Sequence, residues 1–153
     1  MTVDNLYNEK ILELASNISK VGRIQNVEFS SEAVSRLCGS KVTVDLEIDN
    51  NKITDFSHIV KACALGQASS SVMANNIIGT DIEELLNLKL VMKKMLKDGG
   101  SPPDGKWSEL KVLEPVREYK GRHSSVLLIF DAVEDCINQY LFKYSENLIG
   151  RKK

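Results

Sequence analysis

The apolar positions along the chain change period several times, and each change marks an element. Leu6, Ile11, Leu12, Leu14, Ile18 and Val21 recur at mixed spacings of three and four, which predicts an amphipathic helix over residues 4–19 with Asp4 as its N-cap and Gly22 as its stop. Residues 27–34 read as a weak strand. From Lys41 to Ile48 the period drops to two: Val42, Val44, Leu46 and Ile48 alternate with Lys41, Thr43, Asp45 and Glu47, as in a half-buried strand. Asparagine tolerates positive φ, so Asn50-Asn51 suits a two-residue hairpin loop into a further strand over residues 53–60.

That loop predicts a register in which Ile48 opposes Ile53, Val42 opposes Ile59 and Cys38 opposes Cys63. Opposed Cβ atoms lie about 4.5 to 5.5 Å apart, close enough for two thiols to share a metal or form a disulfide. In that register Phe56 and Val60 fall on the face opposite Val42, Val44 and Leu46. A bulge near Asp55 would repair the mismatch and shift the pairing by one.

Residues 81–97 predict a second helix, capped at Thr80 or Asp81, with Asp81, Glu83 and Glu84 at its start and Lys93, Lys94 and Lys97 at its end, as the helix dipole favours. Residues 98–105, rich in Gly and Pro, read as an exposed connector. Trp107, Leu110, Leu113 and Val116 mark a short helix up to Tyr119. A long helix over residues 122–149 carries Leu127, Leu128, Phe130, Val133, Ile137, Leu141 and Phe142. Between hairpin and second helix, the stretch Ile59 to Ile78 runs from strand through Cys63 directly into a helix. A thiol at a helix start lies beside unsatisfied N–H groups and the positive end of the dipole, which favour the thiolate that binds metal or carries sulfur. Gly66 and Ser69-Ser70-Ser71 weaken this helix while letting a neighbouring backbone or a bound group lie close. A buried structural cysteine before a tightly packed helix is the alternative.

Length and composition narrow the class. The 153 residues suit one domain, 1–153, and 42% hydrophobic with 27% charged residues is ordinary for a soluble globular protein. The net charge of −1 supplies no basic field for nucleic acid, and no 18-residue apolar run, signal core or Arg-rich transit pattern appears, so no membrane partner is expected and the expected location is the cytoplasm. Three cysteines, an odd number, point to free thiols rather than a disulfide framework. No catalytic triad, carboxylate pair, P-loop or dinucleotide fingerprint is present.

Leu37-Cys38-Gly39, the hairpin, and Cys63-Ala64-x-x-Gln67-Ala68-Ser69 together resemble the U-type iron-sulfur cluster scaffold family, which includes NifU-like and SufU-like proteins. Leu6-Tyr7-x-Glu9-x-Ile11-Leu12 is similar to the family's opening helix. Pro115-Val116-Arg117 and Arg122-His123-Ser124-Ser125-Val126-Leu127-Leu128 are similar to its C-terminal site segment, and the long 81–121 region resembles the SufU-like branch. The resemblance implies a compact α+β fold, a small antiparallel three-stranded sheet packed against several helices, with three cysteines and an aspartate converging on one exposed site. It also implies a scaffold rather than an enzyme, a transient iron-sulfur cluster, iron or zinc as cargo, and a cysteine desulfurase and other cluster assembly proteins as partners.

The chain departs from the family pattern twice. Ser40 stands where the family has the aspartate of Cys-Gly-Asp, and Ser125 stands at its third cysteine, with Ser124 at the preceding Lys or His. Cys136 lies three helical turns beyond Ser125, about 16 Å, and reads as a core residue rather than a replacement. Cys38 and Cys63 remain as the ligands, with Ser40, His123 and Ser125 as further candidate donors. His58 falls where the family usually has phenylalanine and reads as structural. Two thiols without a full donor set predict weak, exchangeable binding. Three functions fit: cluster assembly on a partly degenerate site, a non-scaffolding paralogue that docks or regulates a desulfurase, or a metal-free thiol sulfur acceptor.

Overall fold

The computed structural model describes residues 7–37 and 39–151, with side chains placed as far as residue 145. Helix α1 spans Glu9–Ser16, shorter than the sequence predicts, because Asn8 offers its Oδ1 to the Ile11 N–H at 3.0 Å and so starts the helix there. The expected cap Asp4 lies outside the described residues. The helix ends early as well: Ser16 Oγ and Asn17 Nδ2 turn back to the Leu12 and Glu13 carbonyls at 2.7 Å each, before Gly22 is reached. Gly22 serves instead in a short segment beside the sheet, where its N–H donates to the His58 carbonyl and Val21 bridges to His58 in parallel.

Strands β1 (Phe29–Val34), β2 (Lys41–Asp49) and β3 (Lys52–Lys61) form an antiparallel sheet in the order β1-β2-β3. Asn50 and Asn51 take φ of 50° and 65°, the left-handed pair that a two-residue hairpin loop requires. Tyr140 holds the loop from across the fold, its hydroxyl donating to Asn51 Oδ1 and accepting the Asn51 N–H.

The register changes within the hairpin. Ile48 pairs with Ile53, but Glu47 already pairs with Asp55, leaving Thr54 as the extra residue of a bulge. Beyond it Leu46 pairs with Phe56, Val44 with His58 and Val42 with Val60, not with Ile59. The physical reason is burial. The shift brings Phe56 and Val60 to the face that already carries Val42, Val44 and Leu46, and that face meets the helices. The ladder ends at Lys41–Lys61, so the hairpin register does not set what stands opposite Cys63.

Helices α2 (Ala64–Asn76), α3 (Ile82–Lys97) and α4 (His123–Arg151) complete the chain with an intervening 3-10 segment, Gly105–Glu118, and a 3-10 turn, Lys120–Arg122. Trp107, Leu110, Leu113 and Val116 recur at intervals of three residues, which is the repeat of a 3-10 helix, so they stack on one buried edge where a regular α-helix would rotate them apart. Helix α4 packs on β1 and β2, and α2 is enclosed by α1, α4 and β3. That enclosure explains why most of α2 is buried and why many of its buried positions are Ala, Ser or Gly. Among the described residues no helix is long and apolar enough to cross a membrane.

Candidate functional site

Cys63 is the N-cap residue of α2, in extended conformation (φ −67°, ψ 173°), and its side chain makes no capping hydrogen bond. The thiol is half-buried and free, held beside the first turn rather than consumed by it. Gln67 secures the junction, its backbone N–H donating to the Cys63 carbonyl and its side-chain Nε2 to the Ala62 carbonyl, both at 3.0 Å.

The start of α4 lies against the start of α2. Gly66 faces the Ser125 backbone so closely that an added Cβ would sit 3.0 Å from the Ser125 carbonyl oxygen, and one turn on Ser69 Oγ donates to the Val126 carbonyl at 2.8 Å. The loop between β1 and β2 reaches the same place. Ser35 Oγ and Ser124 Oγ share a 2.8 Å hydrogen bond, and the loop closes on itself through Gly39 N–H to the Ser35 carbonyl and Ser35 N–H to the Ser40 carbonyl. Three parts of the chain far apart in sequence, at Ser35, at Gly66 and Ser69, and at Ser124 to Val126, therefore meet at the first turn of α4. Cys38 lies outside the described residues.

The serines are not the exposed donors that the exposed site implied by the resemblance would need. Ser40 and Ser125 are both buried, 4% and 2% exposed. His123 is also buried rather than a surface imidazole. Its Nε2 lies 3.1 Å from the Val116 carbonyl and 3.2 Å from that of Arg117, so this nitrogen is the donor and pins the 3-10 segment to α4. Only Nδ1 is left as a ligating atom. Cys136 is remote, fully buried beneath β2 with its Sγ directed at the Val44 carbonyl, and burial pushes its thiol up to about 12, with Asp135 and Asp45 adding to the effect. His58 is a fully buried residue packed on Phe56, with Nε2 2.9 Å from the Ser19 carbonyl, and belongs to the core.

Two residues quoted in the sequence only as parts of longer motifs meet ahead of α1, and the first of them, Tyr7, interacts with the Cys63 side chain. Arg122 Nη1 donates to the Tyr7 hydroxyl at 2.8 Å, and its guanidinium lies 5.8 Å from the Tyr7 ring centre. Burial pushes the Tyr7 phenol up, the neighbouring Cys63 pushes the same way, and Arg122 opposes both. The sequence signal for this pair was their membership of the two terminal motif segments, with nothing to show that those segments touch.

The donors among the described residues do not by themselves fit a resident structural zinc, which takes four nitrogen or sulfur ligands. Among the described residues no three of His, Cys, Asp or Glu stand together, and serine hydroxyls are poor ligands at neutral pH.

Residues 6–143 match the model of the NifU-like N-terminal domain family. The chain superimposes on the crystal structure of a nitrogen-fixing NifU-like protein (N-terminal) from Brucella abortus with a TM-score of 0.87 and 50% identity, covering 90% of this chain and 95% of that one. The iron-sulfur cluster assembly scaffold protein IscU of Thermotoga maritima is 24% identical over 139 residues, 91% of this chain and 97% of the relative. The zinc-dependent sulfurtransferase SufU of Bacillus subtilis is 22% identical over 132 residues, 86% and 89% of the two chains.

Proposed function

The chain belongs to the NifU-like N-terminal domain family, and from that membership we propose that it is an iron-sulfur cluster assembly protein of the IscU and SufU kind. Its cargo is iron, sulfide or a transient cluster, taken up at Cys63 and Cys38 and held loosely. A cysteine desulfurase supplies the sulfur, and other cluster assembly proteins receive the product. The observation that carries this reading is the free, half-buried Cys63 thiol at the start of α2, within a chain whose family match runs over residues 6–143. Loose binding follows from Ser40 and Ser125, which replace the acid and the third thiol of the family pattern with hydroxyls.

The SufU relative is named a sulfurtransferase, so sulfur carried covalently on Cys63 is the second reading. One experiment separates the two. Protein prepared without oxygen is incubated with a cysteine desulfurase, L-cysteine and ferrous iron, then examined by visible absorption and by intact-protein mass spectrometry. Chelator-labile iron and sulfide absorption that Cys63→Ser abolishes supports assembly. A 32 Da adduct on Cys63 without iron would move the assignment to sulfur transfer. Neither iron nor adduct would sink both.

A further inference from the structure

The apolar stripe of α4 outlasts the core that covers it. Val133 and Ile137 are buried, but Leu141 and Tyr144, which follow on the same face at spacings of four and three, are 38% and 55% exposed. The start of α3 lies beside them, and Asp81, Ile82, Glu83 and Leu86 line with Leu141 and Tyr144 a cleft of about 520 Å³. Leu90, one turn beyond Leu86 on α3, is also exposed and extends the apolar side. The seam between the two helices is fixed, since Lys89 of α3 pairs with Asp131 and Glu134 of α4 at 2.9 and 2.8 Å. At the other end Asp81 and Glu83 are exposed and pair with no base among the described residues.

The same copy of the chain cannot fill this cleft with the end of α4. The helix runs on to Arg151, about 10 Å past Tyr144 along its axis, and a continuous helix does not double back on its own face. Yet that stretch has the complementary chemistry. Leu148 keeps the apolar spacing, and Arg151-Lys152-Lys153 is the chain's only run of three consecutive bases. We propose that the cleft is a self-association surface, occupied by the C-terminal stretch of α4 from a second copy lying antiparallel to the first. Its apolar positions meet Leu86, Leu141 and Tyr144, and its bases meet Asp81 and Glu83. Each copy gives and receives the same segment, so the contact closes as a two-fold dimer. About 28 Å of helix separates Tyr144 from Ser125, which leaves the Cys63 site open on both copies.

The test is sedimentation equilibrium of the full chain between about 1 and 200 µM, the range in which dimers with modest interfaces dissociate. The expected result is a monomer–dimer equilibrium that weakens about tenfold as sodium chloride rises from about 0.05 to 0.5 M, because salt screens the acid–base contacts. Leu141→Glu puts a charge into the cleft and should raise the dissociation constant about tenfold or more. Glu83→Arg should weaken the dimer too, as should Arg151→Glu combined with Lys152→Glu. Joining the two reversals in one chain should bring the dissociation constant back to within about threefold of wild type. A chain that stays monomeric across the whole range would overturn the proposal. So would a dimer indifferent to Leu141→Glu, or charge reversals that do not rescue each other. Glu83 is exposed, so Glu83→Arg covers the case in which Leu141→Glu fails to fold. A dimer disproved in this way leaves the assembly function standing, because none of these variants lies near Cys63.

Discussion

Gly66 and Ser125 stand in backbone contact: a Cβ on Gly66 would lie 3.0 Å from the Ser125 carbonyl oxygen and 2.7 Å from the Ala62 Cβ. This contact puts the first turn of α4 on the first turn of α2, and so puts the third site segment beside Cys63. Helix propensity alone would make Gly66→Ala stabilising by about 1 kcal/mol. Neither clashing atom belongs to the flexible end of a side chain, so overpacking at about 1 to 3 kcal/mol should prevail. The expected outcome is a net loss of about 1 kcal/mol in urea denaturation, accompanied by faster alkylation of Cys63 as the two helix starts separate.

Ser125 offers the most direct test of loose binding. It differs from cysteine by a single atom, so Ser125→Cys supplies the family's third thiol at a small change in volume. Zinc affinity measured against a competing chelator should rise on the order of 100-fold, since even an outer partner of a metal ligand is commonly worth roughly 10- to 100-fold. Cys63→Ser in the same background should remove the gain. Ser40→Asp is the costlier change, because Ser40 is buried and the new carboxylate is stabilised only when a metal or donor meets it. The double variant should therefore be less stable than Ser125→Cys without metal and recover with zinc. Equal tight binding by the wild-type chain would mean that its own donors already complete the shell.

Asp45 predicts an acid-sensitive clasp. Its side chain is fully buried on the outer face of the sheet, where it accepts from Arg23 Nε at 2.8 Å and Nη2 at 3.1 Å, from the Ser30 hydroxyl at 2.7 Å and from the Ile24 N–H at 2.9 Å. Burial works to raise its pKa, and these donors outweigh burial and hold the carboxyl below the usual range. A carboxylate with a depressed folded pKa contributes stability above its unfolded pKa and loses it as pH falls through the folded value. Asp45→Ala should cost about 3 kcal/mol at neutral pH, because the Ile24 and Arg23 donors lose their acceptor. The cost should shrink in acid below the ordinary carboxylate pKa, as chemical denaturation at a series of pH values would show.

His58 predicts a second pH dependence. Burial pushes its imidazole below the ordinary value of 6.5, against a smaller opposing effect from the Ser19 carbonyl. The unfolded chain therefore binds a proton that the folded chain resists, and stability must fall as pH drops through the unfolded pKa and on toward the folded one. Its Nδ1 is buried without a partner. His58→Phe should flatten stability between about pH 5 and 6.5 while losing only the single hydrogen bond to Ser19. An unchanged pH slope would assign the dependence elsewhere.

Cys136 should be chemically silent. Fully buried, with its thiol pushed up to about 12, it should resist alkylation at pH 8 in the native chain and react only after denaturant unfolds the core. Labelling at a rate comparable with Cys63 under native conditions would contradict its placement under β2.

Local rules were enough to place much of this molecule. The asparagine pair at 50–51 takes the left-handed conformation that its side chains tolerate, and the alternation from Val42 to Ile48 is that of the central strand. Cys63 stands at a helix start because a strand-forming run gives way there to Ala and Gln. The threefold spacing of Trp107, Leu110, Leu113 and Val116 already carried the 3-10 repeat, although it reads as an ordinary short helix when only helix and strand periods are compared. Each of these depends on φ preference or side-chain direction over a few residues, which the chain encodes locally.

The mismatch of Phe56 and Val60 in the simple register already called for the bulge, but the burial of His123 and of the two site serines, and the meeting of Tyr7 with Arg122, were not legible in the same way. His123 is buried because the carbonyls of Val116 and Arg117 happen to end where α4 begins. The site exists only because α2, made of small residues, lets the first turn of α4 approach to backbone contact at Gly66. Such features are set by packing between surfaces distant in sequence, and no local preference of the residues involved carries that information.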